Sequence, residues 1–357
     1  MLNTTVLPAA DLTPDHLASW TKLQTSQPEL ASPYFRPEFT LAVAAVRHDV
    51  EVAVLSRHAE MAGFFPYQRR RRTAQPVAGR LSDSHGLIAR PDLDCTADDL
   101  LRACGLSSWA FHHLPASQSW FASHASQTEG SPYLDLSRGF DAYRQELHAA
   151  GREGVSQPLR KRRKFDRECG PLRFELDCRD PAMLERLLAW KSTQYRRTGL
   201  TDVFAFGWTV SLVKRIWEHR GMEFCGLLSV LYAGDRPAAA HFGMRSHGIL
   251  HYWFPAYDVD LARFSPGSIL LVQIAQAAEA AGIRRIELGR GSKPAKTSVM
   301  SGATLVAEGR VERRPLVRWV RGHWGRARQS FRSSALRRRL ESPLRLVRPL
   351  REWFAFR

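Results

Sequence analysis

The most regular alternation of hydrophobic and polar positions lies in the second half of the chain. Runs with a period of two predict strands, and apolar positions three and four residues apart predict helices. Asp180 and Pro181 suit the N-cap and first turn of a helix. The predicted order is strand 172–176, helices 181–197 and 209–220, strands 223–232, 238–245 and 249–254, helix 267–281 and strand 285–288.

The first region, to about residue 140, shows shorter patterns separated by loops. Strands are predicted over 51–55, 60–67 and 109–114, and a short helix over 98–104. These short runs predict a mixed set of strands and helices before residue 140.

Two helices, 140–150 and 157–168, join the two regions. The second contains the basic run 160–164 and ends at Gly170-Pro171, a common helix stop. Such a run is compatible with nucleic-acid binding or targeting. We favour the solvated face of a connecting helix. The chain is therefore divided into 1–140, a connector 141–170, a second half 171–309 and a tail 310–357.

Charge separates the tail from the rest of the chain. The 357 residues carry a formal net charge of +17. Residues 310–357 hold fifteen Arg and three Glu, a net +12, which leaves +5 for the first 309 residues. The basic character therefore belongs to the tail.

The tail also has an amphipathic pattern. Apolar side chains recur there at three- and four-residue steps, with arginines between them: Trp319, Val320, Trp324, Ala327, Phe331 and Ala335. This pattern is typical of a helix that lies on an anionic membrane surface. The alternative is a helix that packs its aromatic side chains on the body. Nucleic-acid binding is disfavoured, because no zinc finger or RNP-type motif is found.

The remaining composition excludes several classes of protein. No apolar run is long enough to span a membrane, and the N-terminal residues show no secretory signal. The cysteines at 95, 104, 169, 178 and 225 form neither a metal-ligand spacing nor a disulfide framework. We expect a cytoplasmic protein with reduced thiols and no metal, peripheral at the inner face of the membrane if the tail binds there.

The segment Ser265-Pro266-Gly267 carries the most chemical information. It lies between a predicted strand and a long helix, with Ser265 placed to cap that helix. Free amides and the positive end of the helix dipole favour an anion. The predicted contacts to an anionic ligand are Arg263, Ser265, Gly267, Ser268 and Ile269.

The order of strand, turn, amphipathic helix, glycine and strand resembles the acyl-CoA diphosphate-binding element of the Gcn5-related N-acetyltransferase (GNAT) superfamily. Further segments resemble its cellulose-biosynthesis (CelD/BcsL-like) acetyltransferases, which are related to FemAB-like transferases. These segments are 79–88, 191–195, 255–258 with 265–267, and 288–291 with Lys296.

The resemblance implies an α/β fold of two tandem GNAT-like halves. Each is expected to be a mixed, largely antiparallel sheet with flanking helices. The second half is implied to bind acetyl-CoA or another acyl-CoA. Glu287 stands where the family has Asp before the Gly-x-Gly sequence.

Acyl transfer requires a base for the nucleophile, a donor to the oxyanion and a proton for the leaving thiolate. Glu287, Asp258 or His241 could act as the base, and Tyr252 or Tyr257 could supply the proton. We select Glu287, Tyr252 and Asp258 as catalytic candidates. His241 and His251 lie in predicted strands, where a structural role is the commoner one for histidine.

Six residues are predicted to bind the acceptor. Asp83 and His85 lie in a glycine-bounded loop that the resemblance places near the cleft between halves. Lys191 and Gln194, with Tyr195, share one helical face, which also suits a helix–sheet contact. Arg290 and Lys296 follow the last predicted strand; either could instead pair with Glu287.

The leading hypothesis is acyl transfer from acyl-CoA to an amine or hydroxyl of a sugar or cell-envelope (exopolysaccharide) precursor. One alternative is a Fem-like transferase that takes its acyl group from aminoacyl-tRNA. The other is a catalytically inactive GNAT-like scaffold at the membrane. The expected partners are a small-molecule or saccharide acceptor and, through 310–357, an anionic membrane surface.

Overall fold

A computed structural model describes residues 2–58 and 60–320. Thirteen strands among these residues form a single sheet. They are β1 Leu2–Pro8, β2 Val50–Arg57, β3 Glu60–Arg70, β4 Thr73–Gln75, β5 Ile88–Ala89, β6 Ser108–Pro115, β7 Ala125–Asp135, β8 Leu172–Glu175, β9 Phe224–Ala233, β10 Arg236–Ser246, β11 Ile249–Tyr257, β12 Arg285–Glu287 and β13 Gly302–Glu312.

Helices flank this sheet. They are α1 Pro14–Thr25, α2 Pro37–Ala44, α3 Ala97–Ala103, α4 Gly139–Ala149, α5 Ser156–Cys169, α6 Pro181–Arg197, α7 Gly207–Glu218, α8 Pro266–Ala277 and α9 Pro294–Thr297. Residues 315–320 are also helical. The Asp180 side chain accepts a hydrogen bond from the Ala182 amide, which confirms the predicted N-cap of α6.

The sheet has two halves of similar design. Its strand order is β1-β2-β3-β4-β6-β13-β7-β12-β11-β10-β9-β8, and β5 pairs with β3. Neighbours are antiparallel except for one parallel pair in each half, β4–β6 and β11–β12. The prediction of mixed, largely antiparallel halves with flanking helices is confirmed.

The two halves share strands at their boundary. β13, from the end of the described chain, lies between β6 and β7. β7 also pairs with β12, where Tyr133 lies opposite Glu287. The sheet is therefore continuous from β1 to β8.

Three hydrophobic clusters hold the helices against the sheet. The central cluster combines side chains of α1 and α2, such as Trp20 and Phe39, with Leu187 of α6 and Leu212 of α7. A second cluster lies under α4, α5 and α8, and a third under α3. The central cluster thus packs helices of both halves together.

Several elements differ from the sequence prediction. β1, β7, β13, α1 and α2 were not predicted. Only Pro132 and Leu134 of β7 are buried, so the strand lacks the hydrophobic alternation that reveals most strands. Residues 310–312, assigned above to the tail, complete β13 and pair with β6, so that tail boundary is wrong by three residues. Residues 321–357, which hold most of the predicted amphipathic tail, lie outside the described residues.

Candidate active site

The parallel strands β11 and β12 separate in the middle of the sheet. Their last paired residues are His251 and Glu287. β12 ends at Glu287, whereas β11 continues to Tyr257 while paired with β10 on its other edge. Within the described chain, no strand covers the free edge of β11 beyond His251. This fork leaves backbone groups of β11 without a strand partner in the interior of the sheet.

A cleft of about 630 Å³ opens at the fork. His251, Glu287 and Asp83 lie in its wall, together with hydroxyl groups of Ser32 and Thr304. Its other sides come from the segments 28–31 and 115–117. The cleft is therefore built from both halves of the chain.

His251 lies between two carboxylates at the fork. Its Nε2 is 3.1 Å from Asp83 Oδ2, and its Nδ1 is 3.9 Å from Glu287 Oε2. Glu287 Oε2 also accepts a hydrogen bond of 3.0 Å from Ser32 Oγ. The His251 side chain is 2% exposed. A buried imidazole flanked by carboxylates can hold a proton or release one.

Asp83 reaches His251 from the other half of the chain. The Leu81 carbonyl, two residues earlier, accepts hydrogen bonds from Tyr34 Oη at 3.1 Å and Trp253 Nε1 at 3.2 Å. Gly289 has a φ of +70°, and a Cβ there would lie 2.8 Å from Asp83 Oδ2. Glycine at 289 therefore makes room for the Asp83 carboxylate.

The Asp83 carboxylate stays ionised at neutral pH. Burial alone raises its pKa, but the hydrogen bond with His251 and the charges of His113 and Lys296 outweigh burial and hold the pKa well below the usual range. His113 Nε2 lies 3.5 Å from the second oxygen, Oδ1. Asp83 therefore accepts a hydrogen bond from His251 and lies within ion-pair distance of His113.

His85, predicted to bind substrate, is turned into the protein. Its Nε2 accepts from the backbone amides of His112 and His113 at 3.1 and 3.3 Å. Its Nδ1 lies 3.4 Å from Ser82 Oγ, which itself donates to the Ser84 carbonyl. Burial and the neighbouring His112 and His113 hold the pKa of His85 well below its usual value. His85 is therefore a neutral imidazole that fixes this loop against β6.

Two predicted catalytic residues do not lie in the cleft wall. Tyr252 points to the opposite face of β11, where its ring stacks on His241 with centroids 4.0 Å apart. Its hydroxyl is buried without a hydrogen-bond partner in the described chain, and burial raises its pKa. Both Asp258 oxygens are occupied, since Oδ2 accepts from Arg236 at 2.6 Å and Oδ1 accepts from the Asp260 amide. Glu287 alone of the three candidates lines the cleft.

Lys191 and Gln194 lie on α6 against the free part of β11. Lys191 Nζ donates to the Pro255 carbonyl at 2.9 Å and lies over the Tyr195 ring. Burial, with the charges of Lys293 and Lys296, lowers the pKa of Lys191 to about 8. The Gln194 side-chain oxygen is buried with no partner among the described residues.

Arg290 and Lys296 hold the loop after β12. The Arg290 guanidinium donates to Glu308 at 2.9 Å and to the His112 carbonyl at 3.0 Å. Lys296 Nζ donates to the carbonyls of Gly289 and Arg290 at 3.0 and 2.9 Å. Both cations therefore position the loop that carries Gly289 beside Asp83.

The predicted phosphate site lies at the start of α8. The expectation that the Ser265 hydroxyl caps this helix is wrong. Ser265 has a left-handed φ of 56° and makes no side-chain cap; its hydroxyl accepts from Lys161 Nζ at 2.7 Å. The amides of Ser268 and Ile269 donate to the Ser265 carbonyl. The Gly267 amide remains available to a ligand.

Arg263 and Lys161 supply positive charge near this helix start. The Arg263 guanidinium stacks over Phe264 and pairs with Glu168 at 3.3 Å. Lys161 belongs to α5, which packs on the same turn through Phe165 and Phe264, with ring centroids 4.5 Å apart. The basic connector is therefore placed at the start of α8, a contact that the sequence did not indicate.

From the sequence we expected a structural role for His251, but the residue lies in the wall of the cleft. Its partner Asp83 is 168 residues away. A local pattern carries no signal for such a contact. To predict that His251 lies opposite Glu287, the register between β11 and β12 would have had to be known, and α8 separates these strands along the chain.

The described residues contain no cluster of His, Cys, Asp and Glu arranged to hold a metal ion. Among residues 2–58 and 60–320, no helix combines the length and apolar character needed to cross a membrane.

Comparisons with known proteins agree with this fold. Residues 156–297 match a family model described as an acetyltransferase (GNAT) domain. The match spans α5 to α9, including both sides of the fork. No curated protein sequence matches the chain.

Several solved structures share the fold over most of the chain. FemX superposes with a TM-score of 0.57 at 9% identity, over 88% of this chain and 99% of that one. A tandem GNAT protein from the clavulanic acid biosynthesis pathway gives 0.50 at 10% identity, over 88% and 99%. The C-terminal domain of a proposed lysylphosphatidylglycerol synthetase from Agrobacterium fabrum gives 0.51 at 13% identity, over 84% and 92%. At these identities the likeness establishes the tandem GNAT-like fold.

Proposed function

We propose that this protein is an acyltransferase that moves an acetyl or other acyl group from acyl-CoA to an amine or hydroxyl of a sugar or cell-envelope precursor. The observation that carries the proposal is the fork between β11 and β12. It places His251 and Glu287 in a cleft, while the same strand leads to the helix start at Gly267.

The residues at the start of α8 fit a phosphorylated donor. The Gly267 amide, the positive end of the helix dipole and the Lys161 ammonium all favour negative charge there. A Cβ on Gly267 would meet only the Tyr257 ring, at 3.5 Å, so the backbone is approachable. Bound acyl-CoA would supply the activated acyl group as a thioester. The free edge of β11 would hold its pantetheine arm.

The cleft fits a polar acceptor. Hydroxyl groups of Ser32, Ser84, Ser117, Ser131 and Thr304 line it beside the carboxylates of Glu29, Asp83 and Glu287. Hydroxyls and carboxylates are the groups that bind sugar hydroxyls and protonated amines. This lining supports an amino sugar or a similar polyhydroxylated acceptor.

The proposal is tested by release of free thiol from acetyl-CoA in the presence of a panel of amino sugars and sugar alcohols. We expect one acceptor class to accelerate thiol release and to appear acylated by mass spectrometry. Calorimetry with acetyl-CoA and with CoA separates donor binding from turnover. Absence of acetyl-CoA binding would refute the proposal, and binding without turnover on any acceptor would favour an inactive scaffold.

A Fem-like use of aminoacyl-tRNA is the second candidate, and the position of α5 favours it. This helix carries six basic and two acidic residues and contacts the start of α8 through Lys161. Such a surface suits any polyanionic donor. Thermal stabilisation by aminoacylated tRNA, without stabilisation by acetyl-CoA, would select this candidate.

We further propose that the tail directs a cytoplasmic protein to the inner face of the membrane. Leu316 and Trp319, at its described beginning, are 79% and 63% exposed. Exposed apolar side chains within an arginine-rich segment suit an anionic lipid surface.

A further inference from the structure

We propose that His251 is the general base of acyl transfer and that Asp83, contributed by the other half of the chain, positions it. This inference rests on the proposed function and names the catalytic group within that site. No local pattern in the sequence indicates that Asp83 and His251 contact each other.

The location of His251 suits a general base. His251 is the last residue of β11 that pairs with β12, so its side chain leaves the sheet where the strands separate. It is 2% exposed, yet it lies in the wall of the cleft. A base in this position is shielded from bulk water and still accessible to an acceptor.

Asp83 selects the tautomer of His251. An ionised carboxylate can only accept hydrogen bonds. With Asp83 Oδ2 at 3.1 Å, the proton of neutral His251 is therefore held on Nε2. Nδ1 keeps its lone pair and has no hydrogen-bond partner among the described residues. The base is thus prepared in the form that can take a proton.

The charges around the His251 ring also suit a general base. Glu287 Oε2 lies 3.9 Å from Nδ1, too far for a hydrogen bond but near enough to stabilise an imidazolium. Ser32 Oγ holds this carboxylate in place. The charged and titratable groups that face His251 are Asp83, Glu287, Tyr34, His113 and His241. The two carboxylates provide the negative charge on either side of the ring.

The other buried histidines do not meet these conditions. Both nitrogens of His85 are used within the protein. His241 stacks on Tyr252, and burial with the charges of His251 and Lys191 holds its pKa well below the usual value. His113 shares Asp83, but burial lowers its pKa and it does not line the cleft. Among the histidines of residues 2–58 and 60–320, His251 combines an oriented carboxylate with access to the cleft.

The step conserves atoms and charge. The acceptor nitrogen or oxygen attacks the thioester carbonyl carbon and gives its proton to His251 Nδ1. The new C–N or C–O bond forms and the C–S bond breaks. The leaving thiolate then takes that proton from the imidazolium, which restores neutral His251.

The test compares H251Q and D83N with wild type in thiol release, with and without acceptor. The Gln side chain can still donate to Asp83 but offers no basic nitrogen. We expect H251Q to lower kcat by about 10² to 10⁴-fold, as for loss of a general base, with little change in acetyl-CoA affinity. The acidic limb of the pH–rate profile should disappear. D83N should lower kcat by a smaller factor.

The matched control is H124Q. His124 also faces a carboxylate, with Nε2 3.9 Å from Asp98 Oδ2, but it lies outside the cleft of His251. Its kcat and pH profile should equal those of wild type. Retention of kcat within about threefold in H251Q would overturn the proposal, because a general base contributes far more.

The positioning role of Asp83 is tested separately by a measurement that requires no turnover. Nitrogen-15 NMR of the histidine rings in the full chain should show His251 protonated on Nε2, and D83N should lose that preference. An Nδ1-protonated ring in wild type would overturn the proposal even if H251Q failed to fold. If wild type binds no acetyl-CoA, both the proposed function and the base role of His251 are refuted. The NMR measurement would still decide whether Asp83 orients the His251 ring.

Discussion

At the scale of single residues, Lys191 beside the fork is a buried cation that faces a neutral backbone group. Lys191 donates to a neutral carbonyl, and the described residues place no carboxylate in an ion pair with it. Burying a cation in this way is unfavourable, so its pKa falls to about 8. Groups perturbed in this manner are concentrated at functional sites.

The substitution Lys191→Met tests how much the burial of this cation destabilises the protein. The pKa of Lys191 is lower in the folded state than in the unfolded state. The unfolded state therefore binds more protons between about pH 8 and pH 10.4. The contribution of Lys191 to the free energy of unfolding of wild type therefore rises with pH across that window. At pH 7 the substitution should raise the free energy of unfolding by about 1–3 kcal/mol, and the gain should shrink above pH 10. Urea unfolding at both pH values measures it.

Lys214→Met is the control, because Lys214 is 45% exposed and pairs with Glu185. It should show no such pH-dependent gain. A lower stability of Lys191→Met at pH 7 would mean that the hydrogen bond to Pro255 outweighs the cost of burial. If Lys191→Met is more stable but loses acyl transfer, the lysine is retained for function.

At the scale of elements, α5 and α8 form a unit that the sequence did not reveal. The interpretation of 160–164 as the solvated face of a connecting helix agrees with the burial of only Pro158 and Phe165 in α5. The packing of Phe165 on Phe264 brings Lys161 to Ser265. A surface helix therefore adds charge to the start of α8.

Gly267→Asp and Gly267→Ala test that helix start. Alanine meets only Tyr257 Cδ1, at 3.5 Å, and should leave acetyl-CoA affinity nearly unchanged. Aspartate in the first turn favours the helix by about 0.3–1 kcal/mol, so it should not unfold the protein. It places negative charge where the diphosphate is expected, and calorimetry should show affinity lowered by about 100-fold or more. Equal affinity for both variants would refute the phosphate site.

At the scale of the whole molecule, the cleft exists because helices leave part of the continuous sheet uncovered. β7 and β13 lie where the halves meet, and most of their side chains are partly or fully exposed. The same strands line the cleft through Ser131 and the segment 304–306. The meeting of the halves thus creates one side of the cleft.

Two truncations test where the body ends. A chain ending at Arg314 keeps all of β13 and loses twelve Arg and two Glu, a net +10. It should unfold at the wild-type temperature and no longer sediment with anionic phosphatidylglycerol vesicles. A chain ending at Gly309 also loses Val311, which is fully buried, and should be less stable by about 2–4 kcal/mol.

Neutral phosphatidylcholine vesicles serve as the lipid control, and circular dichroism on heating measures stability. Continued sedimentation of the Arg314 truncation would place membrane affinity in the body. Aggregation of that truncation would instead show that residues beyond 314 belong to the folded core.

Elements with strong local periodicity could be predicted, and elements defined by their neighbours could not. α6 begins at Asp180 and Pro181 as expected, and β9 to β11 follow the predicted strands. β7 is a strand because β12 and β13 pair with it, although little of it is buried. The start of α8 could be predicted from Pro266 and Gly267, but the orientation of the Ser265 hydroxyl depends on Lys161.

The amino-acid sequence by itself determined the order of elements from β8 to β12, the α/β class and the segregation of charge into the tail. These follow from periodicity, capping residues and composition, which are local properties. Only the tertiary structure decided that Asp83, His251 and Glu287 meet at the fork. Their contacts join residues far apart in the chain, and the packing of the two halves into one sheet sets those distances.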